Sequence, residues 1–242
     1  MGYLSKVPQP IASAFSYALL IGRVDAGGGL SLVTLRPTIQ IARTYVSPGQ
    51  YVELRLQGET GYFVLANEPG ARAFDLFMRS GGGVSDVLLA MPLGARVEMT
   101  GAIGAGFPMH DAKARPLVVV VAGTGIAAAR PIVRARIEEG DAKQTFLVIG
   151  IRKHSELSMA ADLEAWERIG VRIVVCLSQP EDSLKDPRCV RGYVQDALRS
   201  KAIVLTEPGA RIFAVGGRSM VEAIRELAHE LGIAAQDVHA NH

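Results

Sequence analysis

A glycine-rich turn follows directly on a continuous apolar run in the second half of the chain. Residues 116–122 are all apolar, as expected for a strand that is buried on both faces of a sheet. The run leads into Gly-Thr-Gly-Ile at 123–126, and residues 126–139 have the pattern of a helix. Glycines there let the backbone turn tightly and approach a diphosphate, while a helix N-terminus supplies unpaired N–H groups. The order strand, Gly-x-Gly-x-x-Ala, helix predicts a nucleotide-binding turn, and a tight turn without a ligand is the plainer alternative.

The remainder of the second half alternates between strand-like and helix-like segments. Strands are predicted at 145–150, 171–177, 211–215 and 238–241, and helices at 156–168, 193–200 and 219–231. The last helix carries an apolar stripe at helical spacing, formed by Met220, Val221, Ile224, Leu227, Ala228 and Leu231. Strands that alternate with helices predict an α/β domain with a parallel sheet.

The first half has a different pattern. Short strand-like runs at 17–24, 30–36, 50–56, 62–67, 73–79 and 96–100 are separated by glycine and proline, with one helical segment at 85–91. Short strands at this spacing predict an antiparallel barrel or sandwich. The change of pattern falls in the polar segment 110–115, which predicts an N-terminal domain of residues 1–112 and a C-terminal domain of residues 113–242.

Charge and hydropathy narrow the class of partner. The 242 residues include 26 Lys and Arg against 24 Asp and Glu, and no basic stripe is interleaved with aromatic residues, so we expect no nucleic-acid partner. No segment approaches the roughly 20 apolar residues that span a bilayer, and residues 1–16 lack the pattern of a signal peptide. These features predict a cytoplasmic protein without membrane insertion.

Cysteine and histidine give no metal pattern. Cys176 and Cys189 do not form a Cys-x-x-Cys pair, so zinc and iron–sulfur sites are not expected. A disulfide between them is open on spacing, and unpaired thiols are the interpretation we favour. The histidines lack metal-ligand spacing with carboxylates, and we predict no metal.

The strand ends of the second half carry candidate nucleotide ligands. A dinucleotide fold usually places an acidic residue about 20 positions after the glycine turn, for the ribose hydroxyls. The second parallel strand ends instead in Gly-Ile-Arg-Lys at 150–153, where Arg152 either meets a 2′-phosphate or lies in a solvated loop. Ser178 and Gln179 follow the third strand at the same edge, and Arg191 and Tyr193 are placed to join them.

Taken in order, these motifs resemble the ferredoxin–NADP reductase-like flavoprotein reductases over nearly the whole chain. The resemblance rests on residues 48–52, 61–67, 81–85, 101–104, 123–127 and 215–220. It is greatest for a bacterial and plastid branch of that family, on residues 62–64, 178–183 and 191–195.

The resemblance implies two domains and two cofactors. The first domain would be a six-stranded antiparallel β-barrel holding FAD, or alternatively FMN, and the second would bind NADH or NADPH. Hydride would pass from nicotinamide to flavin, and electrons would then go to a separate protein or small molecule. Phe63 and Val64 would be the catalytic residues. The cofactor-binding residues would be Tyr62, Phe63, Val64, Leu65, Gly82, Gly83, Val84, Ser85, Gly123, Thr124, Gly125, Ile126, Arg152, Ser178, Gln179, Arg191, Tyr193, Gly216, Gly217, Met220 and His242.

Several positions depart from the family pattern. Gly61 stands where the family has an arginine for the flavin phosphate, and Arg79 is one candidate to replace that charge. Phe63 replaces the tyrosine on the flavin ring and can still stack. Val64 replaces a hydroxyl near the reactive ring nitrogen, and Tyr62 is placed to take up part of this work. Strand alternation is expected to let only one of Tyr62 and Phe63 face the site.

Other positions leave the choice of nucleotide and the function open. The typical arginine of NADPH-specific members is Gln179 here, which favours NADH, whereas Arg152 favours NADPH. His242 is a candidate to cover the flavin ring. The principal hypothesis is a flavin-dependent NAD(P)H oxidoreductase. The alternative is a member that has lost its flavin and acts as a nucleotide-responsive binding or assembly subunit, and an electron-transfer subunit of a larger complex is a third option.

Overall fold

The first half of the chain folds into a six-stranded antiparallel sheet. The computed structural model describes residues 14–180, 184, 186–200 and 209–240. The strands are β1 (Ser16–Gly27), β2 (Leu30–Arg36), β3 (Tyr51–Leu56), β4 (Glu59–Val64), β5 (Phe74–Met78) and β6 (Arg96–Met99). Their order in the sheet is β4-β3-β6-β1-β2-β5. An antiparallel bridge between Leu65 and Leu76 joins the two outer strands, so the sheet closes on itself as a barrel.

Short helices accompany this sheet. They are α1 (Ile39–Ala42), α2 (Gly83–Ala90) and α3 (Met109–Ala112). The alternating residues of the strands that face inward form a hydrophobic core with Val84 and Leu88 of α2. Helices α1 and α3 are single turns that the sequence pattern does not reveal, because four residues are too few to show a helical period.

The second half is a six-stranded parallel sheet with helices on both faces. Its strands are β7 (Leu117–Ala122), β8 (Thr145–Ile151), β9 (Arg172–Leu177), β10 (Cys189–Arg191), β11 (Arg211–Val215) and β12 (Val238–Ala240). The order in the sheet is β10-β9-β8-β7-β11-β12. The helices are α4 (Ile126–Glu138), α5 (Ala160–Ile169), α6 (Val194–Arg199) and α7 (Arg218–Glu230). The predicted two-part fold class is therefore confirmed.

Helix α5 begins later than predicted, at Ala160 instead of residue 156. Residues 154–156 form a 3₁₀ turn, and Met159 has a left-handed backbone with a φ of +60°. The Met159 N–H donates to the carbonyl oxygen of Ala26 at 3.0 Å. This contact with the β1–β2 hairpin holds residues 156–159 outside the helix, which no local sequence pattern specifies.

Ion pairs join the two sheets. Arg130 of α4 lies 3.3 Å from Asp75 of β5, and Arg134 lies 2.5 Å from Glu68. Asp162 of α5 contacts both arginines. The Phe107 and Phe213 rings also stack across the junction, with centroids 4.6 Å apart. The last strand of the antiparallel sheet ends at Met99, and the first strand of the parallel sheet begins at Leu117. The predicted domain boundary at 112/113 lies between these two strands and stays a prediction.

The two cysteines are buried and free. Cys189 packs with Val175 in the core on one face of the parallel sheet, whereas Cys176 packs in the core on the other face. Because neighbouring positions of a strand point to opposite faces, this pairing keeps the two sulfurs on opposite sides of the sheet. The disulfide alternative is wrong, and the interpretation as unpaired thiols is confirmed.

Candidate functional site

A cavity of about 650 Å³ opens at the carboxyl edge of the parallel sheet. This edge, where strand ends face a crevice, is where open α/β sheets bind their ligands. The cavity is lined by Arg79, Ala122, Gly123, Gly150, Ile151, Arg152, Glu156, Cys176, Ser178, Gly192, Tyr193, Val194, Gln195, Gly217, Ser219 and Met220. The predicted residues Gly123, Arg152, Ser178, Tyr193, Gly217 and Met220 are all among them.

A second cleft, of about 350 Å³, lies between the two sheets. It is lined from the antiparallel sheet by Tyr62, Phe63, Val64 and Phe77, and from the parallel sheet by Ala122, Gly123, Thr124, Gly125, Ala127, Val215, Gly216 and Gly217. Ala122, Gly123 and Gly217 also line the larger cavity, so the two spaces adjoin. A molecule extended along the sheet edge can therefore place one end in the cleft.

The two glycines of the turn at 123–126 have different surroundings. Gly123 has a φ of +58°, and a Cβ placed on it would have nothing within 4 Å, so its backbone faces open space. Gly125 is buried, and a Cβ there would lie 2.5 Å from the carbonyl oxygen of Val215. We expected Gly125 to allow the close approach of a diphosphate. That role stays a prediction, since Gly125 also lines the cleft, and the structure adds a packing role: Gly125 allows helix α4 to pack on strand β11, while Gly123 presents the open backbone.

The turn after β11 also contains two glycines, of which one is packed against a neighbouring side chain and one is open. A Cβ on Gly216 would lie 2.6 Å from the Met220 methyl carbon, so the Met220 side chain covers this glycine. Gly217 is exposed, and a Cβ there would meet nothing within 4 Å. Gly217 thus leaves backbone accessible at the point where the two cavities join.

Two neighbouring aromatic residues of β4 reach the cleft. Tyr62 is 65% exposed and packs edge-on against Tyr51, with ring centroids 5.8 Å apart. Phe63 is half-buried and lies over Gly61, where a Cβ would be 3.0 Å from the ring. Both residues line the cleft and Phe63 also packs against the barrel core, so the expectation that only one of them faces a bound ring stays a prediction.

Three predicted cofactor-binding side chains are buried in hydrophobic cores instead. Leu65 and Val84 pack inside the barrel, and Ile126 packs under the parallel sheet. Each neighbours a residue that lines a cavity or a loop, and the alternation of strand and helix faces turns its own side chain inward. Only the backbone of these three residues is left to take part in binding.

The glycine loop before α2 has an open backbone and an internal anion. Gly82 and Gly83 have positive φ angles of +112° and +60°, and nothing lies within 4 Å of a Cβ at either position. Ser85 is half-buried in the first turn of α2. The Asp86 carboxylate accepts from Ser80 Oγ at 2.7 Å and from the Gly81 N–H at 3.1 Å. The bond from Ser80, helped by the loop amides, holds the pKa of Asp86 below its usual value.

The larger cavity contains one carboxylate that the sequence analysis missed. Glu156 Oε1 accepts from Arg152 Nε at 2.8 Å and lies 2.6 Å from Arg152 Nη2. Glu156 Oε2 accepts from the Arg152 backbone N–H at 3.1 Å. Burial raises the pKa of Glu156, but these bonds and the charge of Arg79 outweigh it and hold the pKa below its usual value. Glu156 stood in a segment assigned to a helix, so its role in the cavity had no sequence signal.

Arg79 lies in the larger cavity with Arg152 and Glu156. It follows β5 of the antiparallel sheet, and its guanidinium lies beside Gly29 of the β1–β2 hairpin. The first sheet therefore contributes a cation to the nucleotide-sized cavity of the second. Arg79 is the candidate to replace the charge that Gly61 lacks, and it lines this cavity.

The remaining predicted residues lie beside the cavities or outside the described part of the chain. Gln179 and Arg191 are exposed and are not among the described residues that line either cavity. The Gln179 N–H donates to the Arg152 carbonyl oxygen at 2.8 Å, which ties the two strand ends together. His242 lies outside the described residues. Phe77, Gln195 and Ser219 also line the cavities; Gln195 and Ser219 lie inside motifs that carried the resemblance but were not chosen as site residues, and Phe77 lies in no such motif.

Comparison with known proteins gives a family match within the second half of the chain. Residues 119–226 match the model of an oxidoreductase NAD-binding domain. The ferredoxin–NADP reductase B of Sorangium cellulosum (strain So ce56) is 30% identical over 202 residues, which cover 79% of this chain and 82% of that protein. Reductase component 2 of the terephthalate 1,2-dioxygenase of a Comamonas species is 26% identical over 222 residues, which are 89% of this chain and 64% of that protein.

The fold has solved counterparts. The cytochrome P450 reductase GcoB of Amycolatopsis superposes with a TM-score of 0.81, covering 94% of this chain and 69% of that one, at 24% identity. This likeness extends over both sheets and supports the two-part architecture. In the described part of the chain, no helix is long and apolar enough to cross a membrane.

Proposed function

The chain belongs to the ferredoxin–NADP reductase superfamily of flavin-dependent NAD(P)H oxidoreductases, and we propose that it passes electrons from NADH or NADPH through FAD to a separate protein acceptor. The relatives named above act with a ferredoxin or within a dioxygenase system. On that basis we propose an acceptor of the ferredoxin type, bound from solution.

One observation carries the proposal: the larger cavity runs into a cleft walled by both sheets. Phe63 and Val64 stand on one wall, and Gly123, Gly216 and Gly217 on the other. Two flat rings can meet there, one from each side. Hydride transfer requires such contact, because the donor and acceptor atoms must be held close together and away from water.

The residues of the antiparallel sheet fit a flavin. The rings of Phe63 and Phe77 and the aliphatic side chain of Val64 offer an apolar surface for an aromatic ring system. Gly82 and Gly83 leave the backbone at the N-terminus of α2 open, where a diphosphate can accept from N–H groups. When bound, the flavin supplies the capacity to accept a hydride and release electrons singly. The protein holds the ring against Phe63 and excludes water with Val64.

The residues of the parallel sheet fit a nicotinamide nucleotide. The N-terminus of α4 and the open backbone of Gly123 support a diphosphate site at this turn. Ser178 and Tyr193 line the far part of the larger cavity, where a hydroxyl and an aromatic ring suit a ribose and an adenine. Gly217 and Met220 border the passage toward the cleft. We propose Phe63 and Val64 as the residues that contact the reacting rings.

Absorption spectroscopy of the purified chain tests the proposal. The protein is mixed with FAD, freed of unbound flavin, and titrated with NADH or NADPH in the absence of oxygen. We expect retained flavin absorption that bleaches when the nucleotide is added. A chain that binds nucleotide but retains no FAD would contradict the proposal.

That contrary result would instead support a flavin-free binding subunit. Two observations favour this second candidate. Gly61 brings no cation to the barrel, and the Asp86 carboxylate already accepts from the glycine loop. A phosphate arriving there meets a negative charge, which weakens its binding.

A further inference from the structure

The larger cavity holds a charge cluster that the glycine turn does not explain. Glu156, Arg152 and Arg79 all line it, and they come from two different sheets. Glu156 is largely shielded, with 18% of its side chain exposed, whereas Arg152 is 65% exposed. The carboxylate is thus the more shielded member of the pair, and the arginine is the more exposed member.

The Arg152 guanidinium is held by its partner. Both Nε and Nη2 of Arg152 contact the same carboxylate oxygen, Oε1 of Glu156, at 2.8 and 2.6 Å. The other oxygen, Oε2, is bonded to the Arg152 backbone N–H. The carboxylate therefore keeps lone pairs that can accept from a hydroxyl, and it neutralises the cation that a phosphate would need.

We propose that Glu156 makes this chain prefer NADH over NADPH. The inference rests on the proposed function, because it assigns the larger cavity to the nucleotide. A ribose 2′-hydroxyl can donate to the Glu156 carboxylate. A 2′-phosphate brings about two negative charges to the same place and is repelled by that carboxylate, while Arg152 is already engaged.

The cluster supplies a carboxylate close to the end of β8, although none follows β8 directly in the sequence. Strand β8 ends at Ile151 and is followed by Arg152 and Lys153, without the acidic residue usual for a ribose. The 3₁₀ turn at His154–Glu156 brings a carboxylate back over the end of the strand five residues after Ile151. The Leu157 N–H closes this turn on the His154 carbonyl oxygen at 2.9 Å. Arg152 alone would favour NADPH, and its bond to Glu156 reverses that expectation.

The test measures nucleotide binding without any flavin. Isothermal titration calorimetry compares ADP-ribose with 2′-phospho-ADP-ribose on the full chain and on Glu156→Gln. The wild type should bind ADP-ribose more tightly. In Glu156→Gln the affinity for the 2′-phosphorylated compound should rise about tenfold relative to ADP-ribose, as expected for removing one like charge close to a phosphate. The variant Glu164→Gln makes the same charge change at an exposed position of α5 and should leave the ratio unchanged.

Two further variants distinguish an effect of charge from a change in the structure of the cavity. Adding Arg152→Gln to Glu156→Gln should remove the gain for the phosphorylated compound, because the released guanidinium is what binds it. Glu156→Asp keeps the charge and should keep the preference for ADP-ribose.

Two results would overturn the inference while leaving the proposed function standing. One is a wild type that prefers the phosphorylated compound. The other is a Glu156→Gln variant that binds both compounds with an unchanged ratio. If the wild type binds neither compound, the assignment of the cavity to a nucleotide is itself wrong, and the inference falls with it.

Discussion

The α-carbon of Gly125 packs so closely on the carbonyl oxygen of Val215 that a Cβ at position 125 would lie 2.5 Å from it. The contact joins the start of α4 to the end of β11. Even the smallest side chain must push these two elements apart, because both atoms in conflict are fixed by the backbone. We predict that Gly125→Ala lowers the free energy of unfolding by about 1–3 kcal/mol, the usual cost of overpacking. Urea denaturation checks this, and an unchanged midpoint would contradict the contact.

Gly123 gives the complementary prediction. Its φ of +58° suits asparagine better than other residues with side chains, and the space beside it is open. Gly123→Asn should therefore change stability little but obstruct both cavities. We expect the affinity for ADP-ribose to fall by at least about tenfold, a loss of roughly 1.4 kcal/mol. Calorimetry measures it, and tight binding by this folded variant would argue against a nucleotide on the turn.

Arg136 gives a prediction about stability alone. Its side chain is fully buried and donates to the carbonyl oxygens of Ala112 and Arg115, to Thr145 Oγ1, and to Asp141 Oδ2 at 2.7 Å. These bonds fix the segment between the two sheets. Arg136→Met should destabilise the fold by about 3–5 kcal/mol, because it leaves Asp141 and two carbonyl groups without their partner. Arg199→Met, which breaks an exposed pair with Glu230, should cost no more than about 1 kcal/mol. Similar costs for the two variants would count against this role.

Glu68 makes the junction of the two sheets sensitive to acid. Burial raises the pKa of Glu68, but the hydrogen bond from Arg134 and the neighbouring charges outweigh it, so its pKa in the folded protein is below the usual value. A lowered pKa gives a stabilisation that is present above the ordinary carboxyl pKa and is lost as the pH falls through the folded value.

The variant Glu68→Gln removes that dependence. We predict that it is less stable than the wild type at about pH 7 and that the difference shrinks below about pH 4. Thermal unfolding across this range measures it. A difference that stays constant with pH would show that the charge of Glu68 does not support the junction.

Cys176 lines the larger cavity but should be chemically silent. Burial raises the pKa of its thiol to about 12, and only the thiolate is a good nucleophile. We predict that iodoacetamide at about pH 8 modifies Cys176 only after the protein is unfolded. Mass spectrometry of the native and urea-treated protein follows the modification. Rapid alkylation in the native state would mean that the cavity opens to expose this residue.

Apolar patterns that extend over many residues predicted the architecture correctly. The apolar run before Gly123 is buried as predicted, and the stripe on α7 is buried at Val221, Ile224, Leu227 and Ala228. Leu231 is the exception, because it lies after the end of α7 and is exposed. The three-residue strand β10 and the one-turn helices α1 and α3 were missed because so few residues carry no period. The start of α5 was misplaced because the bond from Met159 to Ala26 joins residues far apart in the chain.

The parts of the candidate site that depend on backbone conformation could be predicted from the sequence. The parts that depend on contacts between side chains distant in sequence could not. Gly123 and Gly217 follow from motifs, since their role is to lack a side chain. The roles of Gly125 and Glu156 depend on neighbours supplied by β11 and by the bend after β8, which a single sequence does not place. Likewise, the ring of Phe63 over Gly61 became apparent only in three dimensions.

Anaerobic stopped-flow spectroscopy of the FAD-loaded chain tests the central claim most directly. NADH is mixed with the protein, and the nicotinamide and flavin absorption bands are followed together. If the two adjoining cavities bring the rings into contact, both bands must decay at the same rate and in equal molar amounts. Oxidation of NADH without bleaching of the flavin, or a flavin that stays oxidised in the presence of bound NADH, would contradict it.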